Sequence, residues 1–94
     1  MAAPGNCVWY LRSHGYEVPR NPKIYAKTLS VQSTELPPEG KIALIVTYES
    51  WMGHVRMATV EKGKLYNVID SVNGKSKVEI DKAVYKGWVY LLEV

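Results

Sequence analysis

Residues 42–48 are almost unbroken in their apolar character, and beyond them apolar and polar positions alternate in short runs broken by glycines and charged pairs. A continuous apolar run of strand length predicts a strand covered on both faces. Two further strands are predicted over residues 54–60 and 65–72, joined across Lys62-Gly63. A short strand is expected at 78–80 and a last one at 87–94. Residues 49–53 connect the first two strands and carry Trp51 and Met52, and Asn73-Gly74 marks a turn.

The first forty residues follow another pattern. Pro4-Gly5-Asn6 is a turn sequence, and Asn6 has the side chain to cap a helix that begins at Cys7 and ends near His14-Gly15. Cys7, Tyr10, Leu11 and His14 would share one face of it. Pro22 suits the first position of a second short helix over 22–29, and 30–39 is a polar connector ending in Pro37-Pro38. One or two N-terminal helices followed by an antiparallel sheet of about five strands is an α+β arrangement, in a single domain over 1–94.

Composition narrows the function classes. A chain of 94 residues with 47% hydrophobic and 22% charged residues has room for one modest core. No apolar run approaches the roughly 20 residues that span a bilayer, so no membrane partner is expected. The net charge of +3 comes from scattered lysines, and there is no phosphate loop, zinc spacing or basic-aromatic signature to suggest nucleic acid. The start, Met-Ala-Ala-Pro-Gly, lacks the basic and apolar regions of a secretory signal. If the protein acts outside the cell, delivery is expected to rest on something else.

The only cysteine is Cys7, which leaves a free thiol. At the first turn of a helix, unpaired N–H groups and the helix dipole lower a thiol's pKa, and a nearby histidine supplies the base a nucleophile needs. There are two histidines. His14 lies seven residues from Cys7, roughly 10 Å along a helix axis at ~1.5 Å per residue, which is too far for the side chains to meet. His54 is therefore the candidate base. A third residue would orient its imidazole, and the candidates are Asp70, Asn73 and Glu61. Strand parity divides them. A two-residue loop at Lys62-Gly63 sets Val60 opposite Leu65 and turns Asp70 away from His54, leaving Ser71 to face it. An odd-numbered loop sets Glu61 opposite Leu65 and puts Asp70 on the face of His54.

Asn6-Cys7-Val8-Trp9-Tyr10-Leu11-Arg12 resembles the nucleophile motif of CHAP domains, the cysteine, histidine-dependent amidohydrolase/peptidase branch of the NlpC/P60 superfamily. Pro38-Glu39-Gly40-Lys41 with its apolar run is similar to that family's strand entry, Gly53-His54-Val55 to its histidine motif, and Lys86-Gly87-Trp88-Val89-Tyr90 to its closing strand. The resemblance implies a papain-like/NlpC-P60 core with Cys7 as nucleophile and His54 as base. It favours Asp70 as the third member, because the family places an acidic or amide residue on the strand after the histidine strand. It implies bacterial peptidoglycan as substrate, cleaved at an amide bond through a thioester, with no metal or cofactor required. A phage lytic or tail component and a domain of a longer bacterial hydrolase both fit, and a monomer is expected.

Tyr48 and Trp51 precede His54 and are candidates for the cleft lining, with Trp51 as a core cap the competing reading. Trp9 and Tyr10 are expected to support the helix from the core. Arg56 departs from the small residue the family has after Gly-His-Val; it would bind a substrate carboxylate, obstruct the site or lie in solvent. A catalytically inactive binding or structural module is the alternative reading if Arg56 or a displaced Asp70 spoils the site. A protease or transferase acting on a protein would use the same residues.

Overall fold

The computed structural model describes residues 6–19, 29–49 and 51–92. Their core is a five-stranded antiparallel sheet built from β1 (Ile42–Thr47), β2 (His54–Glu61), β3 (Lys64–Ile69), β4 (Glu79–Ile80) and β5 (Tyr85–Leu91). The spatial order is β4-β3-β2-β1-β5, so β1 lies inside the sheet, and after the β2–β3–β4 meander the chain returns to its free side as β5. One α-helix, α1 (Asn6–Ser13), precedes it, and a 3-10 turn, Lys82–Val84, leads into β5.

The side chains of β1 explain its unbroken apolar sequence. Leu44 and Val46 join Val55, Met57 and Ile69 in a cluster completed by Leu11 of α1, Val18 and Leu29. Ala43 and Ile45 point the other way, into a second cluster with Ala58, Val60, Leu65 and Ile80, flanked by Leu36 and Trp88. Both faces of the strand are buried, as a continuous apolar run requires. Leu11 is wholly buried, and it fixes α1 against the sheet. The helix stops at Gly15, whose φ of 89° is left-handed. Gly15 N–H donates to the Arg12 carbonyl and Tyr16 N–H to the Leu11 carbonyl, a paired bond pattern that closes a helix C-terminus.

The connector before β1 also contributes to the sheet. Gln32 N–H donates to the Trp88 carbonyl at 2.8 Å and Trp88 N–H to the Ser33 carbonyl at 3.0 Å, so the connector bridges β5 along its outer edge. Gly87 makes that crossing feasible. A Cβ there would stand 2.5 Å from the Ser33 carbonyl oxygen.

The expected α+β class with a papain-like/NlpC-P60 core is corrected by this architecture. Among the described residues the domain is mostly β, with a single eight-residue helix rather than an N-terminal helical layer. Leu11 is the residue of α1 that is fully buried, and the remaining core side chains belong to strands or to irregular chain at Val18 and Leu29. Among the described residues, the apolar surface of both sheet faces is met by α1, loops, Val84 of the 3-10 turn and β5 residues. The second helix expected over 22–29 falls, apart from Leu29, outside the described residues.

Candidate functional site

Cys7 stands in the first turn of α1, half-buried, where the helix packs against β2. His54 opens β2, immediately after Gly53, whose φ of 78° permits the left-handed turn into the strand. The imidazole and the thiol are hydrogen-bonded to each other. On its other side, His54 Nε2 lies 2.7 Å from Asp70 Oδ2. Nε2 is committed to the carboxylate, which leaves Nδ1 for the sulfur. The structure therefore brings Cys7, His54 and Asp70 together in that order.

The way Asp70 arrives there is not the way loop length suggests. The β2–β3 hairpin has the two-residue loop, with Val60 opposite Leu65 and Glu61 opposite Lys64. Lys62 and Gly63 both take positive φ, 53° and 76°, as a tight two-residue hairpin turn needs. Continued regularly, that register turns Asp70 away from His54. A β-bulge intervenes: Ala58 pairs with Asn67 but Met57 pairs with Ile69, so Val68 is an extra residue. The side chains record the change of parity, since Leu65 belongs to one core cluster and Ile69 to the other. Asp70 is carried back to the side of His54.

The carboxylate is fully buried and held from several directions. Asp70 N–H and carbonyl exchange a pair of 2.9 Å bonds with Gly74, and Asn73 N–H donates to Oδ1 at 2.8 Å. The loop is tied in turn by Asn67, whose Nδ2 donates to the carbonyls of Ser76 at 2.8 Å and Gly74 at 3.3 Å. Asn73, a candidate third member, thus serves the site through its main chain by orienting Asp70. Glu61 pairs with Lys77 at 2.7 Å on the exposed surface and has no part in the site. His14 is also outside it, exposed, stacked on Tyr10 with ring centroids 4.2 Å apart and bonded through Nδ1 to the Tyr10 carbonyl.

The electrostatics follow from these partners. Burial pushes the Cys7 thiol up, but the hydrogen bond with His54, the N–H groups of Val55 and Val8 and the imidazole's charge outweigh it and hold the thiol below its ordinary value. Burial likewise disfavours the imidazolium of His54. The bonds to Cys7 and Asp70 and the thiolate's charge outweigh both burial and the repulsion of Arg56, and His54 is held above its usual value. Asp70 is kept below the usual carboxylate range, with burial opposed by His54, the Asn73 N–H and Arg56. These directions favour the charged forms of Cys7 and His54 relative to the free side chains, beside a buried carboxylate.

Sequence reasoning missed two contributors. Glu49 accepts from Thr47 Oγ1 at 2.6 Å and from Arg56 Nη2. Arg56 is only 2% exposed, so it neither lies in solvent nor stands free to meet a substrate. Its Nη2 is also 3.6 Å from Asp70 Oδ2. The signal was present in the sequence as a charge at an inward position of β2 between His54 and Ala58, which demands partners. The Val55 N–H is the other, contributed by the residue after His54 in the Gly-His-Val motif.

The aromatic candidates divide. Trp51 is 65% exposed and so is not a core cap, and Tyr48 is half-exposed with Lys86 Nζ 5.7 Å from its ring centroid. Both belong to the β1–β2 connection that delivers His54. Trp9, expected to pack inward, is 67% exposed. It sits two residues from Cys7, on the helix flank turned away from the side that Cys7 and Leu11 place against the sheet. Among the described residues, no group of three or more His, Cys, Asp or Glu side chains is arranged to hold a metal ion. No protein-family model, curated protein or solved structure matches the chain.

Proposed function

We propose that the protein is a cysteine amidohydrolase or peptidase in which Cys7 is the nucleophile, His54 the base and acid, and Asp70 the residue that orients His54. The observation that carries this reading is the 2.7 Å bond from His54 Nε2 to the buried Asp70, on an imidazole whose other side is bonded to Cys7. A nucleophile bonded to a base that is itself oriented by a third group is the arrangement that acyl-transfer chemistry uses.

The Cys7 thiolate would attack an amide carbonyl, and the C=O electrons would move onto oxygen. The Cys7 N–H lies in the first turn of α1, where main-chain donors lack intrahelical acceptors, and would stabilise that oxyanion. Collapse breaks the C–N bond as His54 gives its proton to the leaving amine, leaving a thioester on Cys7. Water then attacks, His54 takes its proton, and the carboxylic acid departs with the thiolate restored.

Bacterial peptidoglycan is the substrate class the motif resemblance to CHAP domains favours, with Tyr48 and Trp51 as exposed rings beside the histidine for a sugar or peptide stem. The alternative of an inactive module drew on a displaced Asp70 or an obstructing Arg56. Asp70 is bonded to His54 and Arg56 to Glu49, so neither ground supports it. The test is mass spectrometry of fragments released from purified peptidoglycans of several wall types, with Cys7→Ala beside the wild type. New amine and carboxyl ends that depend on Cys7 are expected. A folded wild type that releases nothing from any wall would refute the substrate assignment.

A further inference from the structure

The charged groups of the site form a row of alternating sign that runs past the three catalytic candidates. Cys7 from α1 meets His54, His54 meets Asp70 from the end of β3, Asp70 meets Arg56 on β2, and Arg56 meets Glu49 from the β1–β2 connection. Glu49 is also close enough to feel the charge of His54. Charged groups thus act on His54 from α1, from β2, from the end of β3 and from the β1–β2 connection.

The point of contact between the inner and outer members is a single atom. His54 Nε2 at 2.7 Å and Arg56 Nη2 at 3.6 Å both address Asp70 Oδ2, while Oδ1 is occupied by the Asn73 N–H. The positive charge of the guanidinium beside Oδ2 offsets part of the negative potential that Asp70 presents to the imidazolium. The guanidinium is itself incompletely met: Arg56 Nη2 serves both acids, and its Nε is buried with no hydrogen-bond partner. Glu49 is half in solvent and is the partner that draws Arg56 away from Asp70.

We propose that Arg56 and Glu49 are positioning residues that set how firmly Asp70 holds the imidazolium of His54, Arg56 by sharing Oδ2 and Glu49 by neutralising Arg56. The inference rests on reading Cys7, His54 and Asp70 as a hydrolase site. In that site His54 must keep its proton while paired with the thiolate and surrender it to the leaving amine. A carboxylate bound to His54 alone would favour the first task at the expense of the second. Arg56 moderates it, and so occupies the inward position where the CHAP motif has a small residue.

The two residues therefore have opposite signs of effect, which a merely structural role would not produce. The test follows the His54 imidazole by NMR titration in a His14→Gln background, which leaves one histidine. Arg56→Met should move the midpoint up and Glu49→Gln should move it down, each by about 0.5 pH unit or more for a unit charge at this range. Arg56→Lys, which keeps the charge, should stay near the wild type. The Glu49→Gln and Arg56→Lys arms carry the test if Arg56→Met fails to fold. Midpoints that stay fixed, or that move the same way in the Arg56→Met and Glu49→Gln proteins, would overturn the proposal. A midpoint insensitive to Cys7→Ser would remove the thiolate–imidazolium pair, overturning the hydrolase reading and this inference with it, and it is read in a separate variant.

Discussion

His54 Nε2 and Asp70 Oδ2 are 2.7 Å apart although the two-residue hairpin joining their strands would, in a regular ladder, turn the side chains to opposite faces. The extra residue Val68 reverses the parity of β3 between Asn67 and Ile69. The polar sequence after the bulge then folds back on itself, with Asp70 and Gly74 exchanging main-chain bonds, so the carboxylate is fixed before any substrate arrives.

If Asp70 orients His54, Asp70→Asn should lower turnover by roughly 10³-fold or more, as the loss of an orienting carboxylate does in hydrolase triads. The amide is nearly the same size, and the Gly74 main-chain bonds do not depend on the charge. Steady-state kinetics alongside a thermal melt checks this. Full activity in a folded Asp70→Asn protein would transfer the orienting role elsewhere.

Asp70 also links stability to pH. Its folded pKa is depressed, so its contribution is present above the unfolded carboxylate value of about 3.9 and is lost as the pH falls through the lower folded value. The stability difference between wild type and Asp70→Asn should therefore be larger at neutral pH than in acid below that window. Urea midpoints of both proteins across the range measure it. A difference that does not change with pH would mean that the ion pair adds nothing to the fold.

Trp51 is a test of substrate contact that leaves the core alone. With 65% of its surface in solvent, Trp51→Ala should shift the melting midpoint little. If the ring binds substrate, the variant should raise KM several-fold with kcat nearly unchanged. An unchanged KM would remove Trp51 from the binding surface.

The edge of the sheet depends on a side chain that is missing. In Gly87→Ala the new Cβ meets the Ser33 carbonyl oxygen at 2.5 Å and Val31 at 3.0 Å, both from the connector that bridges β5. Displacing that segment should cost about 1–3 kcal/mol, the usual range for overpacking. Equilibrium unfolding measures it, and a neutral substitution would mean that the connector yields freely.

Much of the sheet was legible in sequence. The apolar run of β1, the hairpin at Lys62-Gly63 and the alternation of β2 are local signals, and the strands stand close to where those signals put them. Cys7 at a helix start was legible for the same reason. The fold class was not. A motif resemblance suggested a papain-like core, while the described chain is mostly β, with α1, loops, the 3-10 turn and β5 against the sheet faces. The helix expected over 22–29 lies, apart from Leu29, outside the described residues. The parity of Asp70 was also hidden, because Val68 is an ordinary strand residue and nothing in its neighbours marks a bulge. Arg56 needed partners that come from a loop and from beyond the bulge, and neither pairing follows from spacing.

The central claim is that Cys7 is an activated thiolate paired with His54, and it can be measured without a substrate. The rate of iodoacetamide alkylation of Cys7 should be followed against pH in the wild type and in His54→Ala. Since Cys7 is held below its ordinary value chiefly by His54 against the opposing effect of burial, the wild type should react rapidly in mildly acidic solution. His54→Ala should react only as the pH approaches the ordinary thiol range. A wild-type profile that rises only in that range, the same with and without His54, would contradict the account.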